Sequence, residues 1–481
     1  MVVPLLLLLA IFFTLTFQWL LSPYPSRGSD FYGAGTLLLY LPFTGFFLPS
    51  FIPYWGLGTN FISFPKTILG LIISFLHLFI YSQIELWKVY FWLVFLLSGV
   101  FMHLYLLRIA ESPSISFFGA FTYMYIPYHL SESIAEAHGD LSLAYTLLPL
   151  LFLSYEELFM RANPRNIIIS GIFTTFVILT HPQSFIILIA PFLAIYLLIK
   201  IVLEKPILKF VLKKSISLST PVLSGLLLTM FWWLPYYSSI NEFYNTSYNI
   251  EASLYYTANP LQALTLQAIS TNIPNWGHFF GNTWEYMFSL TIPLMLAFSM
   301  YFIIRTHNKI GISMFVSYTV SLLFSLGLIS PIPLYQYAFE YLPFFNSIRT
   351  PARFLFFTSF AAVVIICIGL KIAFNKFKFS KKKKFVIVVG LLLFIMVNSY
   401  TEVGLSFRTF PLPIPLLGSY FFLNNQPYGR IFTIPLNTWS QEPQQGTVIN
   451  PMLWVFMYDK EILGVGAPNL NTRPVGENIN F

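Results

Sequence analysis

Cysteine and charge are scarce in this chain. A single cysteine, Cys367, among 481 residues excludes an intramolecular disulfide and a cysteine-based metal centre. It sits inside an apolar run and reads as a packing residue. Charged residues make up 9% of the chain, against about 25% in ordinary soluble domains, which excludes a soluble enzyme. No Walker-type glycine loop, His-Glu-x-x-His helix or Gly-x-Ser-x-Gly elbow occurs, so ATP-driven transport and the common hydrolase chemistries lack their motifs. Ionisable residues inside the apolar runs are scarce as well. His77 and His103 are the candidates, and both read as satisfied helix-packing histidines rather than the midplane site of a secondary transporter.

What is abundant is apolar surface: 57% of residues are hydrophobic and 19% aromatic. Apolar runs of about 20 residues recur, each long enough to cross a hydrocarbon core. The fold class that follows is an all-α polytopic membrane protein. Spans are expected near 4–21, 88–107, 114–129, 141–159, 166–180, 184–200, 216–237, 286–304, 310–329, 354–374 and 385–401, with 36–53 and 62–81 less clear, giving about 11–13 in all. The first run lacks a basic flank and a small-residue cleavage site, and reads as a retained helix.

The net charge of +8 comes from basic residues gathered in alternate short connections: Arg108, Arg161 and Arg165, Lys200–Lys214, Arg305 and Lys309, and Lys371–Lys384. This is the positive-inside pattern of a plasma-membrane protein, and it argues against nucleic acid as a partner. Lys381–Lys384 reads as a cytoplasmic anchor on anionic membrane lipids. The amino terminus is then cytoplasmic and the carboxyl terminus extracytoplasmic. Two regions are expected: residues 1–402 as the transmembrane domain, with external loops 22–35, 131–140, 238–285 and 330–353, and residues 403–481 as a small external α/β or β segment. Within the latter, Tyr428–Pro435 and Met452–Met457 read as strands after the stiff Phe410–Pro415 linker, and the end at Asn480-Phe481 reads as an incomplete segment.

The polar residues of functional character fall on the outer side. Asp30 is the one carboxylate of the first 84 residues and lies in a Gly- and aromatic-rich loop, where a solvated turn is the alternative to a base. Glu132, Glu136, His138 and Asp140 crowd into one short stretch. If it is helical, Glu132 and Glu136 share a face, and Gly139 ends the turn. Like charges so placed call for a cation, a proton or an arginine nearby. Arg349 and Arg353 flank Pro351 at a helix start and are expected on one helical face at the membrane surface, where their planar guanidiniums suit a phosphate; snorkelling is the alternative. His181 closes an outward-going helix.

Four short pieces resemble the GT-C type of polytopic membrane glycosyltransferase, and within it the YfhO-like branch and archaeal membrane proteins labelled 6-pyruvoyl-tetrahydropterin synthase-related. They are Asp30 after the first span, Ile52-Pro-Tyr-Trp-Gly-Leu-Gly58, Thr180-His-Pro182, and Asn346-Ser-Ile-Arg-Thr-Pro-Ala-Arg353. The start of the tail, Tyr428–Pro435, fits as well. The first loop departs from the pattern by holding one acid and no Asp-x-Asp, which bears on metal dependence. The resemblance implies transfer of a sugar from a polyprenyl-phosphate donor, with inversion, to a glycan, lipid or protein acceptor on the external face.

In that frame Asp30 is the expected general base, with Glu132, Glu136, His138 and His181 as further catalytic candidates. Arg349 and Arg353 would stabilise the departing phosphate. Trp55, Asp140, Trp276 and His278 would contact sugar or acceptor, and Asp30, Glu136, His138 and Asp140 are the ligands for any Mg or Mn ion. A lipid or oligosaccharide flippase and a non-catalytic accessory protein are the alternatives. Polar residues lining both faces of a central path would mark the first, and indifference of activity to Asp30 substitution the second.

Overall fold

In a computed structural model of the chain, the described residues are positions within 11–21, then 51–52, 59–60, 67–80, 83–130, 132–133, 138–204, 208–231, 233, 250, 257–258, 260–266, 285–342, 345, 350–380, 382–393, and four short strands in the tail. The helices are α1 (Thr67–His77), α2 (Gln83–Ala110), α3 (Pro113–Tyr125), α4 (Pro127–Leu130), α5 (Gly139–Met160), α6 (Pro164–Thr180), α7 (Ala190–Leu203, preceded by a π-helical turn Ser184–Ile189), α8 (Leu208–Leu228), α9 (Pro260–Thr265), α10 (Glu285–Thr306), α11 (Lys309–Ser325), α12 (Leu334–Tyr341) and α13 (Leu355–Lys376). Five helical stretches among the described residues are long and apolar enough to cross a membrane: Glu85–Ala110, Gly139–Met160, Ser184–Leu203, Phe210–Leu228 and Pro351–Lys376. Four shorter apolar helices accompany them.

Local sequence sets the helix starts. Asn163 and Asn308 cap α6 and α11, each side chain accepting a backbone N–H at 2.8 Å, from Asn166 and Gly311. Proline stands in the first turn of α3, α6 and α7, where its missing N–H costs nothing. The centre of the bundle is α13. It is apolar all round because it is surrounded, and 89% of its apolar window is buried. It packs against α10, α11, α3 and α2. Gly369 permits the approach of α10: a Cβ there would stand 2.2 Å from that of Ser299. Cys367 is fully buried, as its sequence context requires, with Sγ 3.8 Å from the Ile115 carbonyl. By contrast α8 leaves Leu223, Leu227 and Leu228 exposed, an apolar face fit for lipid.

The chain alternates between two ends of the bundle. At one end Arg108 meets Glu157 at 2.5 Å, and Lys371 donates to the Ile109 carbonyl at 3.0 Å. At the other end Tyr90 donates to the Gly139 carbonyl at 2.6 Å, and the Tyr128 hydroxyl lies 3.5 Å from the Arg353 carbonyl. The Lys- and Arg-bearing connections around Arg108 and Lys371 therefore share one end, and the connections that carry Gly139 and Arg353 share the other.

Three sequence expectations change. Phe51–Ile52 pairs antiparallel with Thr59–Asn60, so the end of the 36–53 stretch is extended rather than helical, as Pro49 and Pro53 favour. His181–Ser184 is no loop: a single non-helical residue, His181 (φ −155°, ψ 88°), separates α6 from the next helical turn. Lys200 is no surface residue of a basic loop but lies buried in α7, 2.6 Å from Glu156. His103 is buried, as expected of a helix-packing histidine. In the tail, Arg430–Phe432 falls within an expected strand and pairs in parallel with Glu461–Leu463, while Ser440–Glu442 pairs with Thr447–Ile449. Met452–Met457 lies outside the described residues.

Candidate functional site

The site is built where α5 begins. His138 precedes the helix in a non-helical conformation (φ −73°, ψ 82°), so Gly139 opens a helix rather than ending a turn. Glycine is needed there because α1 and α2 press close. A Cβ would lie 3.3 Å from atoms of Leu69, Trp87 and Tyr90, tighter than ordinary contact. Asp140 follows in the first turn of α5, where the helix dipole favours a carboxylate. Tyr90 stands within electrostatic range of it.

Two histidine–carboxylate pairs result. His138 Nδ1 lies 2.6 Å from Glu132 Oε2, and the His138 backbone N–H donates to the Glu132 carbonyl at 3.0 Å. His181, brought over by α6, places Nε2 3.6 Å from Asp140 Oδ2. All four side chains are only 8–18% exposed, so none is a freely solvated loop residue. The repulsion foreseen between Glu132 and Glu136 is answered, on the Glu132 side, by histidine.

A buried aromatic stack is built around the residues just before Glu132 in the chain. His129 lies between Phe95 (4.6 Å, 5°) and Tyr145 (4.3 Å, 25°), and Tyr123 stacks on Tyr145 at 4.2 Å. Contacts of this kind contribute about 0.5–1.5 kcal/mol each beyond area burial. His129 Nδ1 meets the Met124 carbonyl at 3.0 Å; a carbonyl only accepts, so Nδ1 carries the proton. Tyr128, next in line, is buried within electrostatic range of both Glu132 and Arg353.

Arg353 sits on a 3-10 turn, Pro351–Phe354, rather than in an α-helix. Thr350 before it is non-helical (φ −117°, ψ 85°), and Arg349, expected on a helical face with Arg353, lies outside the described residues. The turn is pinned from α11 and α13. Ser321 donates to the Phe354 carbonyl at 2.8 Å, Thr358 donates to the same carbonyl at 3.0 Å, and Phe354 stacks on Phe324 at 4.9 Å. Gly327, at φ +51°, lets the end of α11 turn beside Pro351: a Cβ there would fall 2.9 Å from the proline ring.

Of the residues singled out from sequence, Glu132, His138, Asp140, His181 and Arg353 come to this one end. Asp30, Trp55, Glu136, Trp276, His278 and Arg349 lie outside the described residues. The sequence reading missed Tyr90, Tyr128 and His129 as positioning groups. The signal was present in the aromatic run Tyr123-Met-Tyr-Ile-Pro-Tyr-His129, but a belt of interfacial aromatics has the same composition. Among the described residues no group of three or more His, Cys, Asp or Glu side chains is arranged to hold a metal ion. The two pairs offer mixed nitrogen and oxygen donors but do not by themselves complete a coordination shell.

The 6-pyruvoyl-tetrahydropterin synthase related domain, described as a membrane protein, matches residues 70–406, a stretch that contains every described residue of the site. The chain belongs to this family. No curated protein matches it in sequence. Among solved structures it is similar to the oligosaccharyltransferase of Archaeoglobus fulgidus. In the apo form the TM-score is 0.54 at 11% identity, over 89% of this chain and 58% of that one. In the complex with Zn and sulfate the values are 0.52 and 13%, over 89% and 56%. The family member described here thus has a GT-C-like helical membrane fold, as the resemblance implied, and spans less than two thirds of that protein's length.

Proposed function

We infer that this chain is a membrane glycosyltransferase that moves a sugar from a polyprenyl-phosphate-linked donor to an acceptor on the extracytoplasmic face. The observation that carries the reading is the gathering of Glu132, His138, Asp140, His181 and Arg353, from three separate parts of the chain, at one end of a bundle whose fold is similar to that of an oligosaccharyltransferase. In this reading the opposite end, which carries basic connections, faces the cytoplasm by the positive-inside pattern, and residues 403–481 form an external segment.

The chemistry is a displacement at the anomeric carbon. The acceptor's nucleophile attacks from the face opposite the phosphate, its bond to carbon forms as the carbon–oxygen bond to phosphate breaks, and the electron pair leaves on the phosphate oxygen. Configuration inverts. A carboxylate takes the nucleophile's proton. Glu132 and Asp140 are the described candidates, and Asp30 and Glu136 are the sequence-based ones. Arg353, with Arg349, neutralises the charge that grows on the departing lipid phosphate. His138 keeps Glu132 oriented. Trp55, Trp276 and His278 remain proposed sugar or acceptor contacts. A divalent ion such as Mg or Mn would need Asp30 or Glu136 beside His138 and Asp140, and no step here is routed through one.

The test is direct. The purified chain in nanodiscs receives a synthetic polyprenyl-phosphate hexose carrying a radiolabel, with membrane lipid, glycan and peptide acceptors offered in turn. Label should pass to one acceptor class, and Arg353→Ala should lower the transfer about 10²- to 10³-fold. Intact donor across all three classes would contradict the reading.

A further inference from the structure

His181 holds two partners at once, and their chemistry fixes its proton. Its Nδ1 lies 3.0 Å from the Ser184 backbone nitrogen, and a backbone N–H can only donate, so Nδ1 is the acceptor. The proton of the neutral ring is therefore on Nε2, the nitrogen facing Asp140 Oδ2 at 3.6 Å. The backbone explains the first contact. His181 ends α6, where its own N–H bonds to the Val177 carbonyl, and it also stands three residues before Ser184, the position from which a side chain caps the next helix. That next segment opens as a π-helical turn, a form frequent at functional sites. The cap thus sets the tautomer, and the tautomer turns an N–H toward a carboxylate in the first turn of α5.

We propose that His181 is a positioning residue for Asp140: it neither takes a proton nor touches the sugar, but turns a fixed N–H toward the Asp140 carboxylate, at 3.6 Å an electrostatic contact rather than a hydrogen bond, and biases its orientation. In metal sites the loss of such an outer partner typically lowers affinity or activity about ten- to a hundred-fold, and a loss of that order is expected here. The proposal rests on the glycosyltransfer reading for what Asp140 does, but not for whether His181 holds it.

Asparagine and glutamine separate capping from positioning. In His181→Asn the amide oxygen takes the place of Nδ1, and Asn is a favoured cap, so the Ser184 N–H stays satisfied while the donor toward Asp140 is gone. In His181→Gln the amide nitrogen reaches about as far as Nε2 and restores a donor. Two measurements are made on the full chain in nanodiscs. One is thermal unfolding of His181→Asn, Asp140→Asn and the double variant. The other is kcat and KM for transfer from a polyprenyl-phosphate hexose.

The expected result is unfolding shifts that are not additive, kcat lowered about ten- to a hundred-fold in His181→Asn with KM little changed, and most of the rate regained in His181→Gln. Additive unfolding shifts overturn the proposal whatever the activity. Coupled shifts with wild-type kcat in His181→Asn overturn it too, since the residue would then be a cap alone. Absence of transfer by the wild-type chain sinks the glycosyltransfer reading, and the additivity of the unfolding shifts still decides whether His181 holds Asp140.

Discussion

The two ends of the bundle each bury an acid beside a base, and the pairs differ in kind. At the basic end Glu156 is bound on both oxygens: it accepts from the Tyr196 hydroxyl and, at 2.6 Å, from Lys200. Lys200 lies over the Phe159 ring at 4.2 Å, so the ammonium is enclosed as well. A strong acid and a strong base so closed in have nothing left to offer a substrate. At the other end Glu132 and Asp140 face imidazoles, which carry no fixed charge near neutral pH, rather than an ammonium. Burial of a carboxylate therefore does not by itself mark a working site. What separates the two ends is the kind of partner the carboxylate is given.

The largest effect expected from this contrast is structural. Lys200→Met leaves the Glu156 carboxylate buried without its cation and should destabilise the chain by about 3–5 kcal/mol in nanodisc unfolding. The paired Glu156→Leu and Lys200→Met change removes both charges and should recover most of that loss. A single variant as stable as the wild type would show that water reaches the pair and would blur the distinction between the ends.

Next comes Arg353. Replacement by alanine should lower transfer about 10²- to 10³-fold, the range lost when a donor to developing negative charge is removed. Lysine keeps the charge but not the planar fork and should leave most of the defect. Full activity in Arg353→Lys would make the residue a surface anchor.

The bundle was largely legible in the sequence because membrane crossing demands apolar runs of the right length, and these are visible without any partner. The site was half legible. Glu132, His138 and Asp140 stood out because they are crowded in a chain with few charges, and Arg353 because it follows Pro351. The Asp140–His181 and Glu156–Lys200 contacts were not legible, since each joins two helices and nothing local announces it. Lys200 in particular looked like one more orienting lysine. Gly139 misled for a physical reason: glycine serves a helix end and a close helix approach equally well, and here α2 made it the latter.

A smaller expected effect sharpens how α5 is aimed. Tyr90→Phe removes the 2.6 Å hydrogen bond to the Gly139 carbonyl and should cost about 1 kcal/mol of stability, with a parallel but modest loss of transfer. Stability loss without any change in transfer would show that the start of α5 is held by packing against Leu69 and Trp87 instead.

The most direct measurement sets one variant from each end side by side, reading unfolding temperature and transfer rate on the same preparations. Glu132→Gln should unfold close to the wild type while transferring sugar about 10²-fold or more slowly, and the paired Glu156→Leu and Lys200→Met variant should transfer at close to the wild-type rate. Wild-type transfer by Glu132→Gln, together with loss of transfer in a stable paired variant, would place the chemistry at the basic end and contradict the account.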